Sequence, residues 1–129
     1  MNKFFFYLTF VVFLCSCQEK QEGKIIMVTP EQVANAVKNE ENIQLLDVRT
    51  LGEYSVKHLK NAQNICVTSN DFKEKVARLN KNEPVYVYCK MGGRSAQAAA
   101  ILKEMGFKKV YDLQGGLDHW EQKGFEAVN

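Results

Sequence analysis

Pro84-Val85-Tyr86-Val87-Tyr88-Cys89, followed by Lys90-Met91-Gly92-Gly93-Arg94-Ser95, decides the fold. The first six residues read as a strand, because proline suits a strand start and β-branched and aromatic residues fill the rest. Two glycines then break the pattern. Ser95 to Met105, rich in Ala96, Ala98, Ala99 and Ala100, reads as a helix closed by Gly106. Four small residues would let that helix lie close to a sheet. Strand, glycine loop and helix in this order make half of a parallel crossover unit.

The alternation continues outward in both directions. Upstream, Ile25–Val28 is a short strand and Thr29-Pro30-Glu31-Gln32 opens a helix. Thr29 caps it, Pro30 suits its first position, and Gln32 completes a capping box. Val33, Ala36 and Val37 share a face of that helix, which should end between Asn39 and Asn42. Ile43–Val48 is apolar at nearly every position before Asp47, as in a strand buried on both faces. A short helix should follow around Gly52–Lys57 and a brief strand within Ala62–Val67. Phe72, Val76 and Leu79 then give helical spacing over Asp71–Leu79. Downstream, Lys109–Leu113 is the last strand, Gly115-Gly116 breaks the chain, and Leu117–Lys123 forms a final helical turn or two. Strands alternating with helices specify an α/β domain with a mostly parallel sheet. In such sheets ligands gather at the carboxyl ends of the strands, which is where Cys89 falls.

The chain has 129 residues, the length of one domain, with 46% apolar and 25% charged residues and neither repeats nor low-complexity tracts. Lysine and arginine number 17 against 15 acidic residues. Without residues 1–16, which hold one lysine and no acid, the balance is 16 to 15, so charge gives no reason to invoke nucleic acid. Residues 1–16 look separate from the fold. Lys3 is followed by an apolar run from Phe4 to Leu14, too short for a spanning helix of about 20 residues. A secretory signal is the expectation. Residues 17–24 read as a polar tether and 25–129 as the folded domain.

Cys89 is the candidate nucleophile. The glycines after it free backbone N–H groups to turn inward as an anion-binding nest, and the helix start adds partial positive charge. Lys90 and Arg94 are expected to add full charges. All of these favour thiolate over thiol, and the same groups would hold an anionic substrate. Cys66 is read as a small buried residue, with a resolving thiol for Cys89 as the competing possibility. His58 and His119 have no zinc-like spacing with the cysteines, so neither metal nor other cofactor is expected. Trp120 reads as a core aromatic under the last helix.

Three segments together resemble the rhodanese domain, a sulfurtransferase fold. Leu46-Asp47-Val48-Arg49, with Glu53-Tyr54, His58-Leu59, Ala62 and Asn64-Ile65, is similar to that family's upstream signature. Cys89 to Ser95 is similar to its active-site loop, and Leu113, Gly115-Gly116 and Trp120 to its C-terminal signature. The resemblance implies an open, mostly parallel sheet flanked by helices on both faces. It also implies a Cys89 persulfide formed from a small anionic donor such as thiosulfate and discharged to a cyanide-like or thiol acceptor. Lys90, Met91, Gly92, Gly93, Arg94 and Ser95 would bind substrate. Asp47 and Arg49 would support the loop, with Arg49 and Glu53 able to pair near the surface. The chain departs from the pattern at Lys57 and Asn61, where the family usually or often has glycine, and at Cys66, where it often has proline. Asn61 tolerates positive φ, so that turn should survive.

Leu14-Cys15-Ser16-Cys17 resembles the lipobox of bacterial lipoproteins. That resemblance implies a lipid on Cys17 and a domain held at the periplasmic face of a membrane in the cell envelope, the outer membrane being plausible for a Gram-negative source. A monomer is expected. Two other functions compete. A cysteine phosphatase or arsenate reductase can share this fold but separates its cysteine and arginine by five residues, where four lie between Cys89 and Arg94. A thiol redox or persulfide-binding protein would use Cys89 with Cys66 or without catalysis.

Overall fold

The computed structural model describes residues 22–129. The expected leader over residues 1–16, the lipidation site Cys17 and most of the 17–24 tether lie outside the described residues.

Among the described residues ten elements alternate: β1 (Lys24–Val28), α1 (Pro30–Asn39), β2 (Gln44–Asp47), α2 (Leu51–Val56), β3 (Gln63–Asn64), α3 (Phe72–Val76), β4 (Val85–Tyr88), α4 (Gly93–Glu104), β5 (Lys109–Leu113) and α5 (Gly116–Gln122). The five strands form one sheet in the order β1-β5-β4-β2-β3, every pairing parallel. The α/β open sheet is therefore wholly rather than mostly parallel, and β4 occupies its centre.

Side-chain alternation assigns each strand residue to a face. Leu46, Val85, Val87 and Val110 pack beneath Ala98, Ala99 and Leu102 of α4, with Phe72 and Val76 of α3 and Phe107 nearby. Leu45, Tyr88 and Leu113 turn the other way, toward Val33 of α1 and Leu117 and Trp120 of α5. Helices thus cover both faces. Phe107 and Leu102 are fully buried, each contributing about 1.5–3 kcal/mol to this two-sided core. Of the four alanines in α4, Ala98 and Ala99 are buried while Ala96 and Ala100 face solvent. A 3.6-residue period lets only part of an alanine run touch the sheet.

The helix starts follow their local chemistry. Thr29 accepts from the Gln32 N–H at 3.2 Å and Gln32 accepts from the Thr29 N–H at 2.9 Å, the expected capping box. Thr50 and Glu53 repeat the arrangement at α2. Asn61 sits at φ 68°, as its side chain permits. Lys57 is extended at φ −163°, so a lysine fits there without strain.

Candidate active site

The site is built where β4 ends. Cys89 is 1% exposed at the carboxyl end of the central strand. The Gly92 N–H donates to its Sγ at 3.0 Å. Ser95 Oγ stands 3.6 Å from the sulfur, and the N–H groups of Met91 and Ser95 also act on it. Burial is the largest single influence on the thiol and pushes it up. The Ser95 hydroxyl and the three N–H groups outweigh burial and hold the thiol below its ordinary range.

The backbone explains this convergence. Gly92 adopts φ 125°, closed to ordinary side chains, and this turns its N–H inward. The helix therefore starts at Gly93, two residues earlier than the sequence suggested, with no side chain capping it. At α1 and α2 a threonine takes up a first-turn N–H. At α4 such groups are left for an anion, where the helix dipole also favours one. The carbonyls of Cys89 and Lys90 are held from the far side by the Leu117 and Asp118 N–H groups at 2.8 and 3.0 Å. Gly116 makes that approach possible: a Cβ there would stand 2.5 Å from the Cys89 carbonyl oxygen.

Each of the two cations of the loop is paired with a carboxylate. Arg94 is gripped by Glu53 through two bonds of 2.6 and 2.9 Å. Lys90 Nζ meets both carboxylate oxygens of Asp118 at 2.9 and 3.2 Å. Arg94 holds the Glu53 carboxyl at about 2, and the guanidinium is raised in return by Glu53. Hydrogen bonds are the largest influences that lower the Cys89 thiol, and Arg94 and Cys89 each favour the other's charged form. An open pocket of about 310 Å³ beside the loop is lined by Glu53, Val56, Lys90, Leu117 and Asp118, so the Lys90–Asp118 pair and the Glu53 carboxylate border it. Met91 projects outward and is 71% exposed.

Asp47 and Arg49 form a buried pair beside the end of β4. Arg49 is 3% exposed and pairs with Asp47 at 2.6 Å, so it does not pair with Glu53 near the surface. Burial works against the Arg49 charge, but the bonds and charge of Asp47 keep its pKa raised. Asp47 also accepts from the Tyr88 hydroxyl at 2.7 Å, and that hydroxyl accepts from the Leu59 N–H at 3.0 Å. Arg49 reaches the Lys57 carbonyl at 2.7 Å. Asn64 ties the Asp47 and Arg49 carbonyls at 3.1 and 2.8 Å. This network joins β2, β3, β4 and the turn after α2. His58 belongs to the same turn, stacked on Tyr54 at 3.8 Å with its ring nitrogen 2.9 Å from the Tyr54 carbonyl. Trp120 is buried and donates to the Glu126 carbonyl at 3.0 Å. Cys66 is half-buried beside Thr68 Oγ1 at 3.2 Å, and both cysteines are free thiols.

Two residues of the site escaped the sequence reading. Glu53, expected near Arg49, bonds Arg94 instead. Asp112 was read only as part of a strand, yet it is 2% exposed and bonded to Ser95 at 2.7 Å. Its signal was the period of two: it shares a face with Val110, which points into the core.

A protein-family profile described as Rhodanese-like domain matches residues 29–123. The thiosulfate sulfurtransferase GlpE of Actinobacillus pleuropneumoniae is 32% identical over 97 residues, which cover 75% of this chain and 87% of GlpE. The protein YrkF of Bacillus subtilis is 31% identical over 96 residues, 74% of this chain; the chain spans about half the length of that relative, 51%. Among solved structures, a rhodanese-related protein from Thermoplasma volcanium superposes with a TM-score of 0.70 at 26% identity, covering 80% of this chain and 97% of the other.

Proposed function

Because the chain belongs to the rhodanese-like domain family, we propose that it moves sulfane sulfur from a small anionic donor to a thiophilic acceptor through a persulfide on Cys89. One observation carries the proposal: an uncapped helix start delivers the Gly92 N–H to Sγ at 3.0 Å, with the Met91 and Ser95 N–H groups beside it. Such a cradle stabilises a sulfur anion before and after the outer sulfur is attached.

In the first step the Cys89 thiolate attacks the outer sulfur of a donor such as thiosulfate. A new S–S bond forms, the donor's sulfur–sulfur bond breaks, and sulfite leaves with that electron pair. In the second step an acceptor thiolate or cyanide takes the outer sulfur, and the Cys89 thiolate departs. The N–H groups of residues 91–95 hold the sulfur anion throughout. Arg94 and Lys90, already paired with carboxylates, brace the loop, and Lys90 borders the open pocket by which the donor enters. Four residues between Cys89 and Arg94 make a tight loop, which suits sulfur better than a tetrahedral phosphate.

Intact mass after exposure to thiosulfate tests this reading. The chain should gain one sulfur, and Cys89→Ser should gain none. No sulfur uptake from any of a panel of thiosulfate, persulfide and polysulfide donors would sink it. The proposal extends to the N-terminus, where the Leu14-Cys15-Ser16-Cys17 pattern supports a lipid on Cys17 at the periplasmic face of a membrane. Expression of the full chain with a labelled fatty acid should mark it, and Cys17→Ser should abolish the mark.

A further inference from the structure

Asp112 is the one buried carboxylate of the site without a cation. Asp47, equally buried, is paired with Arg49 at 2.6 Å. Asp112, 2% exposed, has a single hydrogen-bond partner among the described residues, the Ser95 hydroxyl at 2.7 Å. Its register partners across the sheet are Met27 of β1 and Val87 of β4, neither of which carries charge. On α4, packed over it, the charged side chains are Arg94, held by Glu53, and Lys103 and Glu104 at the far end of the helix. Lys90 on the loop is held by Asp118. An isolated buried carboxylate is expensive unless it carries a proton, and burial, opposed only by the Ser95 bond, raises this one.

The other side of Ser95 is Cys89, with Sγ 3.6 Å from the same Oγ. Cys89, Ser95 and Asp112 therefore form a continuous chain, one hydroxyl linking two acids that are both out of water. We propose that Asp112 is the proton partner of Cys89, taking the thiol proton through Ser95 when the thiolate is needed and returning it when the thiol is restored. The proposal rests on Cys89 being the nucleophile.

The exchange balances without an added reactant. In the tautomer with the proton on sulfur, the S–H donates to Ser95 Oγ and the Ser95 O–H donates to the Asp112 carboxylate. As the S–H bond breaks, Ser95 takes that proton and passes its own to Asp112 Oδ1. Sulfur gains the negative charge that the carboxylate loses, and the Gly92 N–H is already in place to receive it. Cys89 and Asp112 then titrate as a coupled pair rather than as two independent groups. Asp112 touches no substrate and acts as a positioning residue for the proton.

The ultraviolet thiolate absorbance of Cys89, taken as the difference between each protein and its own Cys89→Ser counterpart, reads the pair directly. In the unaltered chain it should rise in two steps with pH. Asp112→Asn, which keeps the side chain's size, should collapse it to one step, about one pH unit or more below the upper step. In a Ser95→Ala background the same Asp112→Asn change should move Cys89 by no more than a few tenths of a unit, since the link is gone. Ser95→Thr should restore the two steps. An unchanged titration in Asp112→Asn, or an equal shift with and without Ser95, would overturn the proposal. If Asp112→Asn does not fold, Ser95→Ala against Ser95→Thr decides alone: two steps in both, or one step in both, overturns it. No sulfur donor is present, so the titration can succeed while sulfur uptake fails, or the reverse.

Discussion

The molecule makes the same junction twice and obtains a different thiol each time. Cys66 follows β3 and Cys89 follows β4, both at the carboxyl edge of one parallel sheet. In each case the N–H three residues on folds back. After β3 it is the Ser69 N–H, which donates to the Cys66 carbonyl at 3.2 Å. After β4 it is the Gly92 N–H, which donates to the Cys89 sulfur at 3.0 Å. The Cys89 carbonyl accepts instead from the Leu117 N–H at 2.8 Å. An ordinary turn thus satisfies its backbone with itself, whereas α5 takes over that task at Cys89 and leaves the turn's amide for sulfur. What sets Cys89 apart is the polar groups turned toward its sulfur, the Ser95 hydroxyl and three backbone N–H groups.

The strongest way to break that comparison is to exchange the two thiols for hydroxyls. Cys89→Ser should reduce sulfur transfer from thiosulfate by at least about a thousandfold, as loss of a covalent nucleophile does. Cys66→Ser should leave the rate within about twofold, since the change is small and Cys66 is half-buried. A Cys66→Ser protein as inactive as Cys89→Ser would mean that the two thiols work together, and a disulfide between them would then be sought by mass.

Gly116→Ala attacks the support rather than the sulfur. Its Cβ would stand 2.5 Å from the Cys89 oxygen and 2.6 Å from the Lys90 carbonyl, at a φ of 62°. Overlap with backbone plus left-handed strain should lower unfolding free energy by about 2–4 kcal/mol. Sulfur uptake by the folded fraction should slow as Leu117 loses its hold on Cys89. Thr68→Val, the matching change beside Cys66, should cost less than about 1 kcal/mol and leave sulfur uptake as it was. Denaturant titration beside a sulfur-uptake assay reads both, and equal losses would show that α5 plays no special part.

Gly92→Ala is the milder probe. A Cβ meets nothing within 4 Å there, so the penalty comes from φ 125° alone. About 1–2 kcal/mol of stability should go. The larger signature should be chemical: relaxation of φ withdraws the N–H from Sγ, and the Cys89 thiol should rise toward its ordinary range. If Gly92→Ala titrates at Cys89 as the unaltered chain does, the Gly92 amide is not among the groups that lower it.

The parts of this arrangement legible in the sequence are those written locally. Thr29 and Gln32 announce a helix start within four residues, and the Pro84–Cys89 strand, the glycine loop and the helix after it sit in one continuous run. Even there the helix began at Gly93 rather than Ser95, because a glycine with φ above zero can serve as a cap without a side chain. What could not be read was pairing across the fold. Glu53 stands four residues from Arg49 and 41 from Arg94, yet it bonds Arg94. Parallel pairing of β2 with β4 brings their carboxyl ends, and so the starts of α2 and α4, to one sheet edge. Arg49 is meanwhile drawn down to Asp47, where the Lys57 carbonyl and Tyr88 complete its surroundings. Asp112 was hidden for a similar reason. A carboxylate in a five-residue strand becomes chemistry only when β4 and α4 bring Cys89 and Ser95 to it.

The smallest expected effect concerns the Arg94–Glu53 strap, and it separates bracing from catalysis by pH. Arg94 holds the Glu53 carboxyl at about 2, below its ordinary 4.5. A carboxyl depressed on folding stabilises fully above its unfolded value and loses that contribution as pH falls toward its folded one. The strap should therefore act in full above about pH 4.5 and fade as pH drops toward 2. Both side chains are about one-third exposed, 32% and 31%, so solvent screening keeps the contribution below about 1 kcal/mol. Glu53→Gln keeps the size and loses the charge. At neutral pH it should be less stable than the unaltered chain by that small amount, and the two unfolding curves should converge as pH falls to 2. The freed guanidinium should at the same time tighten thiosulfate binding, lowering KM with little change in kcat. A stability gap that persists at pH 2 would mean that Glu53 acts through its capping of α2, and the strap would have no part in holding the Cys89 loop.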